Sequence, residues 1–243
     1  MIKARIKRIL GMKTPAPLIP YQQDEFLKTM KLVNPGFLHD GNLHLMDLAL
    51  KNIKGDKPLV EIGSFCGLST NILAHMLEKY NKKNPIYSVD IWKLYDYKDG
   101  EKIGGSNITH NEYRAHMMEV CRHNISFFAG KHPVYSVQAY SDDFFKTWNQ
   151  QKEVQTLNGE QVATGGQISF AYIDGDHRYD QSKRDFENVD AILEPGGYIL
   201  FDDSSDEIYI PDDCEVSKLI HEILLEGKYR VVGKNPNYLL QKI

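Results

Sequence analysis

The chain has 243 residues, of which 42% are hydrophobic and 26% are charged, with a formal net charge of −4. These values suit one α/β domain with an N-terminal extension. Because acidic and basic residues are interspersed, no basic surface for nucleic acid is indicated, and we expect neither RNA nor DNA as a substrate.

The three cysteines, Cys66, Cys121 and Cys214, have no paired spacing. This argues against a disulfide framework or a zinc knuckle and suits a reducing compartment, so we expect a cytoplasmic protein. No apolar run reaches the roughly 20 residues that span a bilayer, and the N-terminus lacks the apolar region of a signal peptide. Residues 2–10 alternate isoleucine and leucine with lysine and arginine. This pattern suits peripheral contact with an anionic membrane. It also suits packing on a neighbouring surface of the domain or on a second subunit of a homo-oligomer.

Residues 1–55 are expected to form a helical extension that covers the main domain. Helices are predicted at 22–33 and 42–53, the second with leucine, methionine and isoleucine side chains at helical spacing. A domain of alternating strands and helices is expected to follow at 56–243.

Strands and helices alternate from Pro58 onward, which predicts a Rossmann-like, doubly wound α/β fold with a mostly parallel seven-stranded sheet. The predicted strands are PLVEI, PIYSVDI, HPVYSVQAY, ISFAYID and GYILFDD, and the predicted helices lie at 69–80, 142–150 and 180–193.

Three segments depart from this alternation. Residues 93–112 are interpreted as a long irregular segment, either a lid or a surface loop, and the loop up to residue 116 as a wall of the substrate pocket. Residues 152–167 predict an exposed hairpin inserted at the surface. After a helix at about 213–226, the segments YRVVG and NYLLQKI predict an antiparallel hairpin at the sheet edge.

Two acidic clusters each follow an apolar strand: Asp174 and Asp176 in IDGDH, then Asp202 and Asp203 in FDD. A strand, helix, strand unit with a right-handed crossover brings both clusters to the same carboxyl edge of the sheet. Two carboxylates about 5 Å apart repel by roughly 3 kcal/mol at an effective dielectric of about 20, a cost that a divalent cation removes.

The first predicted strand leads into a glycine-containing turn, Gly63 to Gly67, before a helix, and such a turn presents backbone amides to a ligand. Phe65 stands where a dinucleotide-binding turn needs a second glycine, so a pyrophosphate ligand is disfavoured. Asp90 ends the second strand, where a carboxylate can accept hydrogen bonds from the hydroxyls of a ribose. Cys66 is interpreted as a small packing residue and not as a nucleophile.

The segments EIGSFCGLST, IDGDHRYDQSKRD and LEPGGYILFDD, with Asp90 between the first two, resemble the class I S-adenosylmethionine-dependent methyltransferases, and among them the macrocin O-methyltransferase type. The resemblance covers residues 58–243 and includes the terminal hairpin. It implies that Asp90 holds the ribose, while Ala139 and Tyr140 depart from the family pattern before Ser141. The other residues that it implies for the cofactor site are Glu61, Gly63, Ser64, Gly67, Ser141 on the adenine side, and Asp174.

The same resemblance implies a magnesium ion held by Asp174, Asp202 and Asp203. Hard oxygen ligands suit Mg²⁺, and also Mn²⁺ or Ca²⁺, far better than zinc. Asp176 is then the first candidate for the base that takes the proton of the substrate hydroxyl, and His177 is the second.

The expected function is therefore magnesium-dependent transfer of the methyl group of S-adenosylmethionine to a hydroxyl of a small molecule. A sugar or glycosylated metabolite is the preferred acceptor, and a catechol or another phenol is the runner-up. A metal-dependent glycosyltransferase, a dehydrogenase that uses Asp90 for NAD, and a non-catalytic cofactor-binding module stay open as alternatives.

Overall fold

The computed structural model describes residues 24–93, 97–206 and 215–243. The basic segment 2–10 and the predicted helix start near 213 lie outside this part of the chain. The helices are α1 (Glu25–Val33), α2 (Asp40–Asn52), α3 (Leu68–Lys79), α4 (His110–Phe128), α5 (Ser141–Asn149), α6 (Tyr179–Ile192) and α7 (Val216–Leu225). The strands are β1 (Leu59–Ile62), β2 (Ile86–Asp90), β3 (Val134–Gln138), β4 (Glu153–Gln155), β5 (Gln161–Ala163), β6 (Ile168–Ile173), β7 (Leu193–Phe201), β8 (Tyr229–Lys234) and β9 (Tyr238–Lys242).

Seven of the described strands form one sheet in the order β3-β2-β1-β6-β7-β9-β8. The pairs that β1 makes with β2 and β6, and that β6 makes with β7, are parallel. Strand β9 runs antiparallel to both β7 and β8. This confirms the predicted Rossmann-like sheet with its antiparallel C-terminal hairpin.

Helices cover both faces of the sheet, which explains why every residue of β1 and β6 is buried. Helices α1 to α4 pack on one face, where Met30, Met46 and Leu73 share a cluster with strand residues. Helices α5 to α7 pack on the other face, where Trp148 and Ile220 lie in the second cluster. No helix in the described ranges is long and apolar enough to cross a membrane.

The predicted insertion is an antiparallel hairpin of β4 and β5, in which Val154 pairs with Val162. It forms a separate two-stranded sheet and contacts the end of the main sheet through a bridge between Val137 and Thr156.

The sequence prediction is wrong for residues 110–116, which are helical and not part of an irregular loop. Helix α4 begins at His110 with a capping box: Glu112 N donates to Thr109 Oγ1, and Thr109 N donates to Glu112 Oε2. Only five of its 19 residues are buried, so its apolar stripe is narrow and interrupted by polar side chains. The irregular segment therefore ends at Thr109.

Candidate functional site

The loops at the carboxyl edge continue the hydrogen bonding of the strands that precede them. Gly63 N donates to Val89 O over 2.9 Å, Asp174 N to Ile62 O over 2.8 Å, and Asp202 N to Ile173 O over 2.9 Å. The turn after β1, the end of β2 and both acidic clusters thus meet at one edge of the sheet. Ligands bind at this edge in open α/β sheets.

Two glycines shape the turn after β1. Gly63 has a φ of 91°, and an ideal Cβ on it would lie 1.9 Å from the backbone oxygen of Asp174. Gly67 has a φ of 81° and is the N-cap of α3. Between them Phe65 adopts a φ of 43°, a left-handed conformation that is uncommon for an aromatic residue and marks a strained position.

Asp90 holds this turn against β2. Its Oδ2 accepts from Ser64 N (2.9 Å) and Phe65 N (2.8 Å), and its Oδ1 accepts from Trp92 N (2.6 Å). Burial raises the pKa of Asp90, while these backbone donors lower it. A ligand hydroxyl bound here would share the carboxylate with the backbone amides of this turn.

The side chains of Glu61 and Ser64 are buried and face away from solvent. Glu61 is completely buried, and its Oε2 accepts from Ser88 Oγ over 2.7 Å and also from the Thr70 hydroxyl. Ser64 is buried too, and its hydroxyl is hydrogen-bonded to that of Ser88. Burial raises the pKa of Glu61, and its Oε1 has no hydrogen-bond partner.

Ser141 begins α5 at the end of β3, and its hydroxyl is engaged on both sides. It donates to Asp185 Oδ1 over 2.6 Å and accepts from Gln181 Nε2 over 3.2 Å. Asp185 is 1% exposed, and its Oδ2 has no partner. A ligand at this end would therefore meet the backbone amides of α5 before the hydroxyl of Ser141.

The acidic cluster contains one histidine among three aspartates. Burial and the neighbouring Asp202 raise the pKa of Asp174, and burial also raises the pKa of Asp202. His177 Nε2 lies 3.4 Å from Asp174 Oδ1, and its Nδ1 lies 2.8 Å from Asp203 Oδ2. Although burial lowers the pKa of His177, these two carboxylates raise it above its ordinary value. Asp203 has a φ of 46°, which is a strained conformation.

The carboxylate of Asp176, the first candidate for the base, is hydrogen-bonded to Arg178. Arg178 Nε lies 3.0 Å and Nη2 2.6 Å from Asp176 Oδ2, and the backbone N of Arg178 donates to Asp176 Oδ1. The carboxylate is thus paired with a guanidinium, in contrast to the free base expected from the sequence.

Three residues of the site were not predicted from the sequence. Asn42 Nδ2 donates to Asp202 Oδ1 over 2.5 Å, and Asn237 Nδ2 donates to the same oxygen over 2.6 Å. The Tyr172 hydroxyl donates to Asp174 Oδ2 over 3.1 Å. The alternation along β6 places Tyr172 two residues before Asp174 on the same face, which is the one signal that a strand pattern offers.

The donor chemistry of the cluster fits a hard divalent cation, since Asp174, Asp202 and Asp203 supply carboxylate oxygens and an excess of negative charge. In the described ranges, however, no three Asp, Glu, His or Cys side chains are already arranged as ligands of one metal ion. Asp203 is directed to His177 instead, and it would have to turn from that ring to join Asp174 and Asp202.

The sequence matches a methyltransferase domain family over residues 60–204. An uncharacterized protein, R132, of Acanthamoeba polyphaga mimivirus is 26% identical over 234 residues, which are 93% of this chain and 88% of that protein. The family match spans the turn after β1, Asp90 and both acidic clusters.

Solved O-methyltransferases share the fold. The Bacillus cereus O-methyltransferase, solved in complex with SAH, has a TM-score of 0.53 at 14% identity, with all of both chains covered. TomG of Streptomyces achromogenes, an O-methyltransferase involved in tomaymycin synthesis and solved with SAM, has a TM-score of 0.53 at 15% identity, with 90% of each chain covered.

Proposed function

The chain belongs to the methyltransferase family that it matches over residues 60–204, and on that basis we propose that it is an S-adenosylmethionine-dependent O-methyltransferase. Its acceptor is proposed to be a hydroxyl of a small molecule, and its metal a magnesium ion held by Asp174, Asp202 and Asp203. The family match favours methyl transfer over glycosyl transfer, over hydride transfer to NAD and over a non-catalytic module.

The close approach of Gly63 to Asp174 carries this proposal. Because an ideal Cβ on Gly63 would lie 1.9 Å from Asp174 O, the turn that would bind the cofactor touches the acidic cluster that would bind the acceptor. A methyl donor and a hydroxyl could thus be held in line at one edge, and such placement contributes about 7 to 11 kcal/mol to a transfer reaction.

The cofactor is proposed to lie across the ends of β1, β2 and β3. Asp90 would accept from the ribose hydroxyls, Gly63 and Gly67 would leave room for the methionine part, and the N-terminus of α5 at Ser141 would face the adenine. The two solved O-methyltransferases that share the fold contain SAH and SAM, which supports this cofactor.

The acceptor hydroxyl must lose its proton to become a good nucleophile. An aliphatic hydroxyl has a pKa near that of water, roughly 15.7, and a bound magnesium ion would lower it and fix the oxygen. Of the two candidate bases His177 is the better placed, since Asp176 is paired with Arg178. His177 accepts a proton only when another positive charge neutralises its partners Asp174 and Asp203, because these carboxylates otherwise keep the ring protonated.

The test is transfer of a labelled methyl group from S-adenosylmethionine to a panel of acceptors. The panel contains free sugars, glycosylated small molecules and catechols, each with Mg²⁺ or with EDTA. We expect transfer to a sugar hydroxyl that EDTA abolishes. Transfer to catechols alone would move the assignment to a phenol O-methyltransferase.

Asp202→Ala separates the metal from the cofactor in this test. The variant should abolish transfer and leave binding of S-adenosylhomocysteine nearly intact. Asp56→Ala is the matched control, because that aspartate is exposed in the loop before β1, at the edge of the sheet opposite the acidic cluster. Full transfer by Asp202→Ala in EDTA would show that the metal mechanism is wrong.

A further inference from the structure

A chain of buried polar side chains connects helix α2 to Asp174 and Asp202 of the acidic cluster. Asn237 Nδ2 donates to Asn42 Oδ1 over 3.0 Å, Asn42 Nδ2 donates to the Tyr172 hydroxyl over 3.3 Å, and that hydroxyl donates to Asp174 Oδ2 over 3.1 Å. Asn42 and Tyr172 are completely inaccessible, and Asn237 is 1% exposed. Such satisfied buried networks hold a unique arrangement of side chains.

Each amide in this chain has its orientation fixed by partners on both ends. Asn237 Oδ1 accepts from the backbone N of Ser204 over 3.0 Å, so its Nδ2 must face Asn42 and Asp202. Asn42 Oδ1 in turn accepts from Asn237, so its Nδ2 must face Tyr172 and Asp202. Both amides therefore present N–H groups to Asp202 Oδ1, over 2.5 and 2.6 Å.

The backbone of α2 approaches the turn between β8 and β9 closely enough to make this network possible. An ideal Cβ on Gly41 would lie 1.6 Å from Asn235 O, so only glycine fits there without movement. The turn itself is closed by a bond from Asn235 N to Asn237 O over 3.0 Å. Asn42 and Asn237 are thus brought together by two elements that both lie outside the matched range 60–204.

We propose that Asn42, Tyr172 and Asn237 are positioning residues. Each donates a hydrogen bond to the one carboxylate oxygen, of Asp202 or of Asp174, that would not bind the metal. The network occupies Asp202 Oδ1 and Asp174 Oδ2. A hard divalent cation would then bind Asp202 Oδ2 and Asp174 Oδ1, and at Asp174 Oδ1 it would take the place of His177 Nε2, which lies 3.4 Å away. Each aspartate would then bind the cation through one oxygen. This inference rests on the proposed function, and it makes α2 a part of the catalytic centre and not only a cover.

The sharpest test is Tyr172→Phe, which removes one oxygen atom and leaves the ring in place. Binding of Mn²⁺, as a probe for a hard divalent cation, is measured by calorimetry, and binding of S-adenosylhomocysteine is measured in parallel. We expect Mn²⁺ affinity to fall about tenfold or more, as it does when outer partners of metal ligands are removed. Affinity for S-adenosylhomocysteine should change less than about twofold, since Asp90 and the turn after β1 are untouched.

Tyr87→Phe is the matched control, because its hydroxyl donates to Ala163 O over 2.6 Å and its ring packs on the opposite face of the sheet from Tyr172. Asn42→Leu tests the amide in the same way, with Asn84→Leu as its control, since Asn84 is another buried asparagine that donates to backbone oxygens. If Asn42→Leu does not fold, the Tyr172→Phe comparison still decides the matter.

The outcomes separate this inference from the function on which it rests. Wild-type affinity for Mn²⁺ in Tyr172→Phe and Asn42→Leu would overturn the positioning role and leave the proposed function standing. A wild-type protein that binds S-adenosylhomocysteine but no Mn²⁺ would overturn the magnesium site itself, and the positioning role with it.

Discussion

The backbone of Gly63 packs directly against the backbone oxygen of Asp174, with no room for a side chain between them. Gly63→Ala should therefore lower the free energy of unfolding by more than about 2 kcal/mol, because the left-handed φ of 91° alone costs an alanine about 1 to 2 kcal/mol. The clash with Asp174 O adds to that strain. Urea unfolding of wild type and variant measures the difference.

Gly159→Ala provides the control for backbone strain without a clash. Gly159 has a φ of 83° in the hairpin of β4 and β5, and an ideal Cβ on it meets nothing within 4 Å. The free energy of unfolding of Gly159→Ala should fall by only about 1 kcal/mol. Equal losses for the two variants would contradict a close approach at Gly63.

Asp185 should make the stability of the protein depend on pH in an unusual direction. Burial raises the pKa of Asp185 to about 6, against hydrogen bonds from Ser141 and Gln181 that lower it. A folded pKa above the unfolded value of 3.8 means that the stabilising contribution of this group is present below about pH 4 and is lost as the pH rises through about 6. Relative to Asp185→Asn, wild type should lose about 2 kcal/mol of stability between pH 4 and pH 7.5.

This difference is measured by urea unfolding of wild type and Asp185→Asn across that pH range. Asp56→Asn serves as the control, since it neutralises an exposed aspartate in the loop before β1 and should give a difference that is nearly flat. A flat difference for Asp185→Asn as well would show that the carboxyl is not perturbed.

The buried cysteines should be unreactive in the folded protein. Burial raises the pKa of Cys66 to about 11, and burial also raises the pKa of Cys121 well above its ordinary value. Since the thiolate is the reactive form, iodoacetamide at pH 7.5 should leave both unmodified until urea is added. Peptide mass spectrometry reads the label at each position. Rapid labelling of Cys66 in the folded chain would contradict its interpretation as a packing residue.

The sequence predicted the sheet well because its strands are buried on both faces and read as short apolar runs. The strand predictions at β1, β2, β3, β6 and β7 match the observed elements, and the hairpin predicted at 152–167 is formed by β4 and β5. Strong local patterns of this kind need no information from distant parts of the chain.

Helix α4 was missed because its buried residues are few and its exposed face is polar. Helix α4 packs against α3 through a narrow apolar stripe, which Met117, Cys121 and Ile125 supply at a spacing of four. The Thr109 and Glu112 capping box was the local signal that marked its start.

Both acidic clusters of the candidate site could be placed from the sequence, because each follows a strand. The hydrogen-bond network around these clusters could not be placed from the sequence. Its residue Asn42 contacts Asp202, which is 160 positions away, and Asn237, which is 195 positions away. A lone asparagine on a helix has no pattern of its own. Only the approach of Gly41 to Asn235 shows why this asparagine is buried.

The most direct test is calorimetric titration of S-adenosylhomocysteine into wild type and Asp90→Asn. Asp90 accepts hydrogen bonds from Ser64 and Phe65 in the turn that would bind the cofactor, and replacing one carboxylate oxygen by an amide nitrogen removes an acceptor there. Asp56→Asn is the control, since Asp56 is an exposed aspartate in the loop before β1. We predict micromolar binding to wild type and Asp56→Asn, and at least about tenfold weaker binding to Asp90→Asn. Absence of binding to the wild-type protein, or equal binding to Asp90→Asn, would contradict the cofactor site described at this edge of the sheet.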